Sequence, residues 1–449
     1  MKELRLLFWL SLFMVGTLFA QVDTTRTLTL DDCVHLALKN NYDLKLARIN
    51  NRVAERTHKQ SYSNILPSLT LNYGSSQYER GPSSYLGNDY IGVVPTLPFT
   101  YQKTTGKNYF MEVRVGQNIF DGGRWYWNIK KTRIDREVSD YNLLASRQNI
   151  IVTVRQLYID LLKQQKLLEV KKQAMERSEE QLKQVQSMYE VGSAARVDVY
   201  RSKVNLGNDR IAFLNQQTTV EKARQSLNLA MGREPTAPLV IDTTVQFPRQ
   251  VGELQELVER ALQNNPTLKT YQKSIISANY NTRLAKSAFL PNLSAYFFYQ
   301  RRVPRFKGLY DDFDREYNWY LGISLSWNLF NGFNDYINVQ KAELNLRYAR
   351  EQYEYQILNL KSKVSTLYTN LKALEEIIQV NRTNLLSAKE DYRLAQERYR
   401  LGSGTLIELR DAQVKLANAE QILVTAEFNA YLTYAELQQA LGELVYSYK

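Results

Sequence analysis

The sequence predicts a mixed α and β membrane protein that consists of two similar halves. Three observations predict this fold. The same order of elements occurs twice along the 449 residues. Each half contains strands that alternate apolar with small or polar residues, as transmembrane barrel strands do. Each half also contains a helical stretch far longer than an ordinary helix, such as residues 124–191, without proline or glycine.

The first element is a predicted secretory signal, residues 1–20. Lys2 and Arg5 precede an apolar centre, and small or uncharged residues precede Ala20. After this segment no apolar run approaches the roughly 20 residues that a membrane-spanning helix requires. The single cysteine, Cys33, cannot form a disulfide within the chain, and we expect it to be a small core residue.

Short motifs mark where strands and helices join, and they repeat at constant offsets. The motif ILPSL contains Pro67, and FLPNL contains Pro291, 224 positions later. The motif IFDGG contains Gly122, and LFNGF contains Gly332, 210 positions later. Because proline and glycine interrupt regular structure, we expect these four residues to lie at strand and helix junctions.

The two offsets define two repeats, residues 21–249 and 250–449. The first repeat carries 14 extra residues between Pro67 and Phe120, which indicates a surface loop in that segment. Each repeat has one predicted strand pair, at about 68–119 and about 292–330.

The second strand of each pair has the clearest alternation. In NWYLGISLSWNLF, residues 318–330, one face is wholly apolar and the other is small or polar. A strand of a soluble sandwich can show the same period, but interfacial tryptophans and a charged inner face favour a transmembrane barrel. Four strands are too few for a barrel, since bacterial barrels have at least eight, so several chains must contribute. The matching strand of the first repeat places Tyr109, Met111, Val113, Val115 and Ile119 on its apolar face.

The helices after the strands carry heptad patterns. At about 1.5 Å per residue, residues 124–191 would form a rod on the order of 100 Å. Apolar or aromatic residues recur at every seventh position in both repeats, which predicts coiled-coil packing. These positions are Val154, Leu161, Leu168, Met175, Leu182 and Tyr189, and 210 residues later Val364, Leu371, Ile378, Leu385, Tyr392 and Tyr399.

Each long helix stops at the same pattern, Y-x-x-G. Tyr189 precedes Gly192 in the first repeat, and Tyr399 precedes Gly402 in the second. Glycine commonly ends a helix by adopting the left-handed conformation. We therefore expect each glycine to turn its long helix back into a partner helix.

With these features the sequence resembles the TolC-like outer membrane efflux proteins, over essentially the whole mature chain. The resemblance rests on the duplicated plan, on the LP-(S/N)-L and F-(D/N)-G junctions, and on the repeated Y-x-x-G-x-x-x-x-x-(D/E). It implies a homotrimer in which twelve strands, four from each chain, close one β-barrel in the outer membrane. The helices would continue the barrel as a long α-helical tunnel through the periplasm.

The resemblance also implies partners and sites. A periplasmic adaptor protein and an inner-membrane transporter would dock at the far end of the tunnel, and outer membrane lipid would surround the barrel. In this family the Y-x-x-G motif lies at the periplasmic end, where the closed trimer narrows to an aperture. The tip and the adaptor contact would then lie at Tyr189, Gly192, Tyr399 and Gly402.

Charged residues follow each glycine by six and nine positions. Glu408 and Asp411 are three positions apart and share a helix face, so in a trimer they would form two acidic rings. Such rings would favour cations and hold a gate that responds to charge. Glu408 also fits a capping box with Thr405, which would give it a purely local role. Arg201 is expected to pair with Asp198 or to reach a neighbouring helix. The gate candidates are Asp198 and Arg201 in the first repeat, and Glu408 and Asp411 in the second.

The expected function is the outer membrane exit duct of a tripartite efflux system for small molecules. The same duct in type I protein secretion is an alternative, and an exported coiled-coil scaffold without a pore is a third. The sequence contains no P-loop, nucleophile elbow or zinc spacing, so we expect no enzyme activity, cofactor or metal. The basic residues are spread along helices, which disfavours nucleic acid. The basic segment Gln300–Lys307 is expected to be a solvated loop, with anionic lipopolysaccharide a conceivable ligand.

Overall fold

The structure is a computed structural model that describes residues 27–85, 99–243, 252–311 and 313–444. The predicted secretory signal lies outside these residues. The chain forms two compact units, and each contains parts of both repeats. The first unit comprises the described residues within 1–48, 143–266 and 358–449, and the second comprises those within 49–142 and 267–357.

Both repeats contain two helices, a pair of strands of the main sheet, a very long helix and a shorter helix, in that order. The first repeat also has two three-residue strands, which pair with each other between its main-sheet strands. The first repeat consists of α1 (Leu30–Asn40), α2 (Tyr42–Gln60), β1 (Ser68–Arg80), β2 (Ser83–Tyr85), β3 (Phe99–Tyr101), β4 (Thr104–Asp121), α3 (Arg124–Glu190) and α4 (Arg196–Ala230). The second consists of α5 (Leu254–Asn264), α6 (Pro266–Lys286), β5 (Asn292–Val303), β6 (Tyr317–Ser326), α7 (Asn334–Arg400) and α8 (Leu406–Ala440).

The long helices of the two repeats match in length. Helices α3 and α7 have 67 residues each, and α4 and α8 have 35 each. The helix predicted over residues 124–191 is confirmed, and it ends at Glu190, two residues before Gly192. Among the helices that the structure describes, none has an apolar stretch with the length and hydropathy of a membrane span.

The main sheet is antiparallel, with the strand order β1-β4-β5-β6. Side chains of directly paired residues lie on the same face of a sheet. One such row across the four strands is apolar: Leu71, Val113, Tyr299 and Trp319. The next row is polar: Asn72, Glu112, Gln300 and Asn318.

At the ends nearest the long helices, the observed strands differ from the predicted ones in two places. A bulge between Asn118 and Phe120 shifts the register of β4, so Phe120 rather than Ile119 pairs with the apolar-face residue Leu293. Strand β6 ends at Ser326, opposite the first residue of β5, so Trp327 follows the strand. The Trp327 indole nitrogen donates a hydrogen bond to the Phe289 carbonyl instead (3.0 Å).

Local hydrogen bonds and backbone conformations explain why the junction motifs contain these residues. Asp121 accepts hydrogen bonds from the Trp125 backbone nitrogen at 3.0 and 3.2 Å, and Asn331 accepts one from Asp335 at 3.3 Å. The D/N of F-(D/N)-G therefore caps the start of each long helix. Gly122 and Gly332 follow these caps with φ of 71° and 68°. At the other junctions, short 3-10 turns (61–65 and 287–289) lie between α2 or α6 and the strand that follows Pro67 or Pro291.

The predicted heptad positions form a buried seam in the first unit. Val154 and Val364 are fully buried, and the later positions are buried or half-buried except Tyr189, which is 44 % exposed. Polar residues of the seam make hydrogen bonds: Gln216 donates to the Gln164 side chain (2.9 Å). Cys33 lies in the same core, where burial raises the pKa of its thiol to about 12 and keeps it unreactive.

Each repeat folds its first helix onto the end of its last helix. The Asn41 side-chain nitrogen donates to the Ala230 carbonyl (2.9 Å), and Asn265 donates to the Ala440 carbonyl (3.1 Å). Gly232 has φ of 69°, and a Cβ added there would lie 2.7 Å from the Asn40 carbonyl oxygen. At the equivalent Gly442, a Cβ would lie 2.6 Å from the carbonyl oxygen of Asn264. Each of these two positions therefore requires glycine for two reasons: the backbone is in the left-handed conformation, and there is no space for a Cβ atom.

We expect Gly232→Ala and Gly442→Ala each to lower the free energy of unfolding by about 2–4 kcal/mol, because the new Cβ strains the backbone and overlaps a carbonyl. Gly192→Ala is the matched control. Its φ is 76° and nothing lies within 4 Å of an added Cβ, so only the conformational cost of about 1 kcal/mol applies. Guanidinium denaturation followed by circular dichroism measures all three values. Equal losses at the three glycines would contradict the role of close approach.

Candidate functional site

The two helix breaks have the same hydrogen-bond pattern. Gly192 and Gly402 both have φ of 76°, which is the left-handed conformation that glycine adopts at helix ends. Gly192 donates to the Tyr189 carbonyl (2.9 Å), and Gly402 donates to the Tyr399 carbonyl (3.1 Å). The serine after each glycine then donates its backbone N–H to the fourth residue before that glycine, at 2.7 and 2.9 Å. Both long helices therefore reverse through the same turn.

The two turns lie side by side and share a small apolar cluster. Tyr399 is 7 % exposed, whereas its counterpart Tyr189 is 44 % exposed. Burial raises the pKa of the Tyr399 hydroxyl, and the nearby charge of Asp198 raises it further. The buried members of this cluster come from all four helices: Val185, Val199, Tyr399, Leu406 and Leu409. The tip is thus held by contacts between the two repeats.

Glu408 serves as a helix cap. Its backbone nitrogen donates to the Thr405 hydroxyl (3.2 Å), and its carboxylate accepts a hydrogen bond from the Thr405 backbone nitrogen (3.2 Å). This is the capping box that the sequence predicts. The carboxylate also lies 3.7 Å from the Arg398 guanidinium and is 51 % exposed. One carboxylate thus secures α8 and retains an exposed negative charge.

The equivalent position of the first repeat has no such cap. Ala195 precedes α4 and makes no side-chain hydrogen bond to it. Asp198 instead lies 3.6 Å from the Arg201 guanidinium, in the ion pair that was one of the two expectations for Arg201. The two repeats therefore share a turn but differ in charge.

Asp411 lies on the exposed side of α8. Its carboxylate is 2.6 Å from the Lys415 ammonium group, and both side chains are 60 % exposed. The hydrogen bond from Lys415 and the negative charge of Asp411 raise the pKa of Lys415. An exposed pair of this kind contributes little to stability, so the structure gives Asp411 no strong packing or capping role.

A more buried charge cluster lies close to the tip, and the sequence patterns did not reveal it. Arg410 of α8 donates to both carboxylate oxygens of Asp209 of α4, at 2.7 and 3.0 Å. The Ser178 hydroxyl of α3 donates to the same carboxylate and accepts from Arg410 (3.1 Å). The side chains of Arg410 and Asp209 are only 26 % and 17 % exposed. The cluster therefore joins one helix of the second repeat to two helices of the first.

No local sequence pattern indicates that Ser178, Asp209 and Arg410 are in contact. Arg410 stands between the gate candidates Glu408 and Asp411, and Asp209 is 201 positions away. A second inter-repeat pair, Arg177 with Glu420 (3.4 Å), is similarly shielded, with side-chain exposures of 17 % and 15 %. Arg177, Asp209 and Arg410 line a cavity of about 170 Å³ between α3, α4 and α8.

The outside of the tip exposes apolar side chains. Tyr200 packs between Arg196 and Lys203, whose charged groups each lie 5.6 Å from the ring centre. The described residues contain no group of three or more His, Cys, Asp or Glu side chains arranged to hold a metal ion. The exposed apolar residues of the tip are Tyr189, Val191, Val197, Tyr200, Leu401 and Ile407.

Comparisons with known proteins agree with this architecture. The family model described as "Outer membrane efflux protein" matches residues 33–233 and 257–443. The chain is 23% identical to outer membrane protein TolC of Vibrio cholerae over 334 residues, which cover 74% of this chain and 76% of TolC. It is 23% identical over 422 residues to the probable efflux pump outer membrane protein TtgC of Pseudomonas putida, covering 92% and 82%.

Among solved structures, the outer membrane channel CmeC of Campylobacter jejuni has the same fold. The TM-score is 0.79 at 19% sequence identity, and the match covers 92% of this chain and 85% of CmeC. The family match includes both tips, the four strands of the main sheet and all the long helices. The chain therefore belongs to the outer membrane efflux protein family, and it is an outer membrane channel for efflux.

Proposed function

We propose that three copies of this chain form one exit duct, which receives small molecules from an inner-membrane transporter through a periplasmic adaptor protein. One observation carries this proposal. The four-stranded sheet has an apolar face and two open edges, because β1 and β6 each pair with one neighbour among the described strands. Unpaired backbone groups are very unfavourable in lipid, so β6 of one copy must pair with β1 of the next.

The exposed apolar surface of α4 also supports association between copies of the chain. Val197, Tyr200, Val204, Ile211 and Leu214 are each at least half exposed in the single chain. Their spacing of three, four, seven and three residues forms one heptad stripe along the helix. A stripe of this kind is typical of packing against another helix, and a neighbouring copy would supply it. The exposed apolar residues at the tip would form the surface that contacts the adaptor protein.

The oligomeric state and the pore can be tested on one preparation. In detergent, light scattering should give the mass of three chains, because twelve strands close a barrel with every backbone group paired. The same protein should conduct ions in planar bilayers. A mass of one chain, or a trimer without conductance, would contradict the proposal.

The gate is proposed to lie at Asp411 and Glu408. Both carboxylates are more than half exposed and lie on the first two turns of α8 after the break. Three copies would bring each carboxylate into a ring, and a ring of negative charge attracts cations. At the equivalent place in the first repeat Asp198 pairs with Arg201, so that repeat contributes one acidic residue at these two positions and the second repeat contributes two.

Glu408→Gln combined with Asp411→Asn should reduce the preference for cations and change the single-channel conductance. Glutamine can retain the capping box, so the loss of charge is separated from the loss of the helix cap. Reversal potentials in a potassium chloride gradient measure the preference. The control is Glu390→Gln, which removes an exposed carboxylate paired with Arg393 (2.6 Å) on α7. Unchanged selectivity in the double variant would rule out the gate.

Arg410 is proposed to hold the tip closed. Moving α8 away from α3 and α4 would break its two hydrogen bonds to Asp209 and its bond to Ser178. Because the carboxylate of Asp209 is largely shielded from water, separating the pair costs more than separating an exposed pair. An adaptor or pump that opens the duct would have to supply this free energy.

Arg410→Ala should lower the free energy of unfolding by about 2–3 kcal/mol and increase the single-channel conductance, since Asp209 loses its partner. Arg382→Ala is the control. Its pair with Glu427 is 2.9 Å long, but the Arg382 side chain is 54 % exposed, so the loss should stay below about 1 kcal/mol. Chemical denaturation and bilayer recordings measure the two effects. Equal effects of the two substitutions would contradict the special role of Arg410.

A further inference from the structure

The described residues of the loop between β5 and β6, 304–311 and 313–316, fold back onto the apolar face of the sheet. Phe306 makes edge-to-face contacts with Tyr73 of β1 and Tyr109 of β4, with ring centres 6.2 and 5.8 Å apart. Tyr73 pairs with Met111 and Tyr109 with Val303, so both tyrosines lie on the apolar face. The loop therefore covers the end of this face that lies farthest from the helices.

Arg301 explains why the loop takes this path. It pairs with Met111 and Tyr317, which places its side chain on the apolar face, yet it is only 2 % exposed. Its guanidinium donates hydrogen bonds to the carbonyls of Gly308 and Asp311, both at 2.8 Å. An arginine that faced lipid without such acceptors would be strongly unfavourable. The loop supplies the acceptors.

Apolar contacts complete the attachment of the loop. Leu309 is fully buried and Val303 is 2 % exposed. A Cβ added to Gly308 would lie 3.4 Å from the Cβ of Val303, so the loop backbone lies close against the strand. The guanidinium carbon of Arg301 is 4.9 Å from the centre of the Phe313 ring. The segment that the sequence suggests as a solvated loop, Gln300–Lys307, thus begins within β5, and its residues 304–307 are exposed at the start of a folded loop.

The outward surface of the loop combines aromatic and basic groups. Phe306, Tyr310 and Phe313 are 50 to 56 % exposed. Arg305 is exposed, and the Lys307 side chain is 88 % exposed although Asp311 lies 3.7 Å away. Asp314 and Glu316 are also exposed, on the arm of the loop that returns to β6. Arg315 is exposed on the same returning arm, where the acidic residues outnumber it, so the net positive charge lies on the arm that leaves β5.

We propose that this surface binds an outer-leaflet lipid whose headgroup carries phosphate. Arg305 and Lys307 would contact the phosphates, and the aromatic rings would lie among the sugar and upper acyl groups. Basic groups attract anionic headgroups, and aromatic side chains favour the membrane interface. The inference rests on the proposed barrel, because the apolar face must be the face that contacts lipid.

The test uses the full-length channel in detergent, titrated with lipid A or with dephosphorylated lipid A, with bound lipid counted by native mass spectrometry. Arg305→Gln combined with Lys307→Gln should weaken binding of lipid A at least tenfold. Arg302→Gln is the matched control, because Arg302 is exposed and adjacent to Arg301 but pairs with Phe110 on the opposite face. Its affinity for lipid A should equal that of the unsubstituted channel.

Several results would overturn the proposal. These are equal binding of the dephosphorylated lipid, equal weakening by Arg302→Gln, and no binding of lipid A by the unsubstituted channel. Protection of the channel against thermal unfolding by inorganic phosphate alone would assign the site to free phosphate and would also overturn it. Conductance of each variant is recorded on the same preparation. If the unsubstituted channel does not bind lipid A but conducts normally, the lipid site is wrong and the proposed duct stands. If neither the unsubstituted channel nor any variant conducts, the proposed duct itself is wrong.

Discussion

The structure depends on one constraint, which is that a strand in a membrane must pair its backbone groups on both sides. A sheet with the order β1-β4-β5-β6 satisfies this for its two inner strands and leaves two edges. The alternation of apolar and polar rows across the sheet has a separate cause in the proposed barrel, where the apolar face would meet lipid and the polar face would meet the lumen. In the proposed barrel, the sheet edges can be paired only when copies of the chain associate.

Much of the remaining architecture consists of local structures that occur once in each repeat. The cap of the long helix, the left-handed glycine after the cap, the turn at the tip and the docking of the first helix each occur twice. At the tip, the two repeats differ in helix capping and in charge. Thr405 and Glu408 cap α8, whereas Ala195 leaves α4 without a side-chain cap and Asp198 pairs with Arg201. The two repeats thus share the same backbone turn at the tip but carry different charged side chains there.

Charged side chains that are shielded from water have the most specific roles. Arg410 reaches Asp209 across the two repeats, and Arg301 organises the loop above the apolar face. In both cases the cost of removing a guanidinium from water is offset by acceptors from more than one segment. The pair of Asp411 and Lys415 is instead exposed on a single helix, as the proposed gate requires.

The sequence by itself determined the repeats, the long helices, the apolar face of the strands and the turns at Gly192 and Gly402, because these follow from local periodicity and from the conformations of proline and glycine. It also contained the capping box of Glu408, since that motif spans four consecutive residues. Only the tertiary structure decided the bulge before Phe120, the pair of Arg410 with Asp209, and the folded loop over Arg301. Each of these joins groups far apart in the chain or depends on which face a strand buries, and no local pattern carries that information.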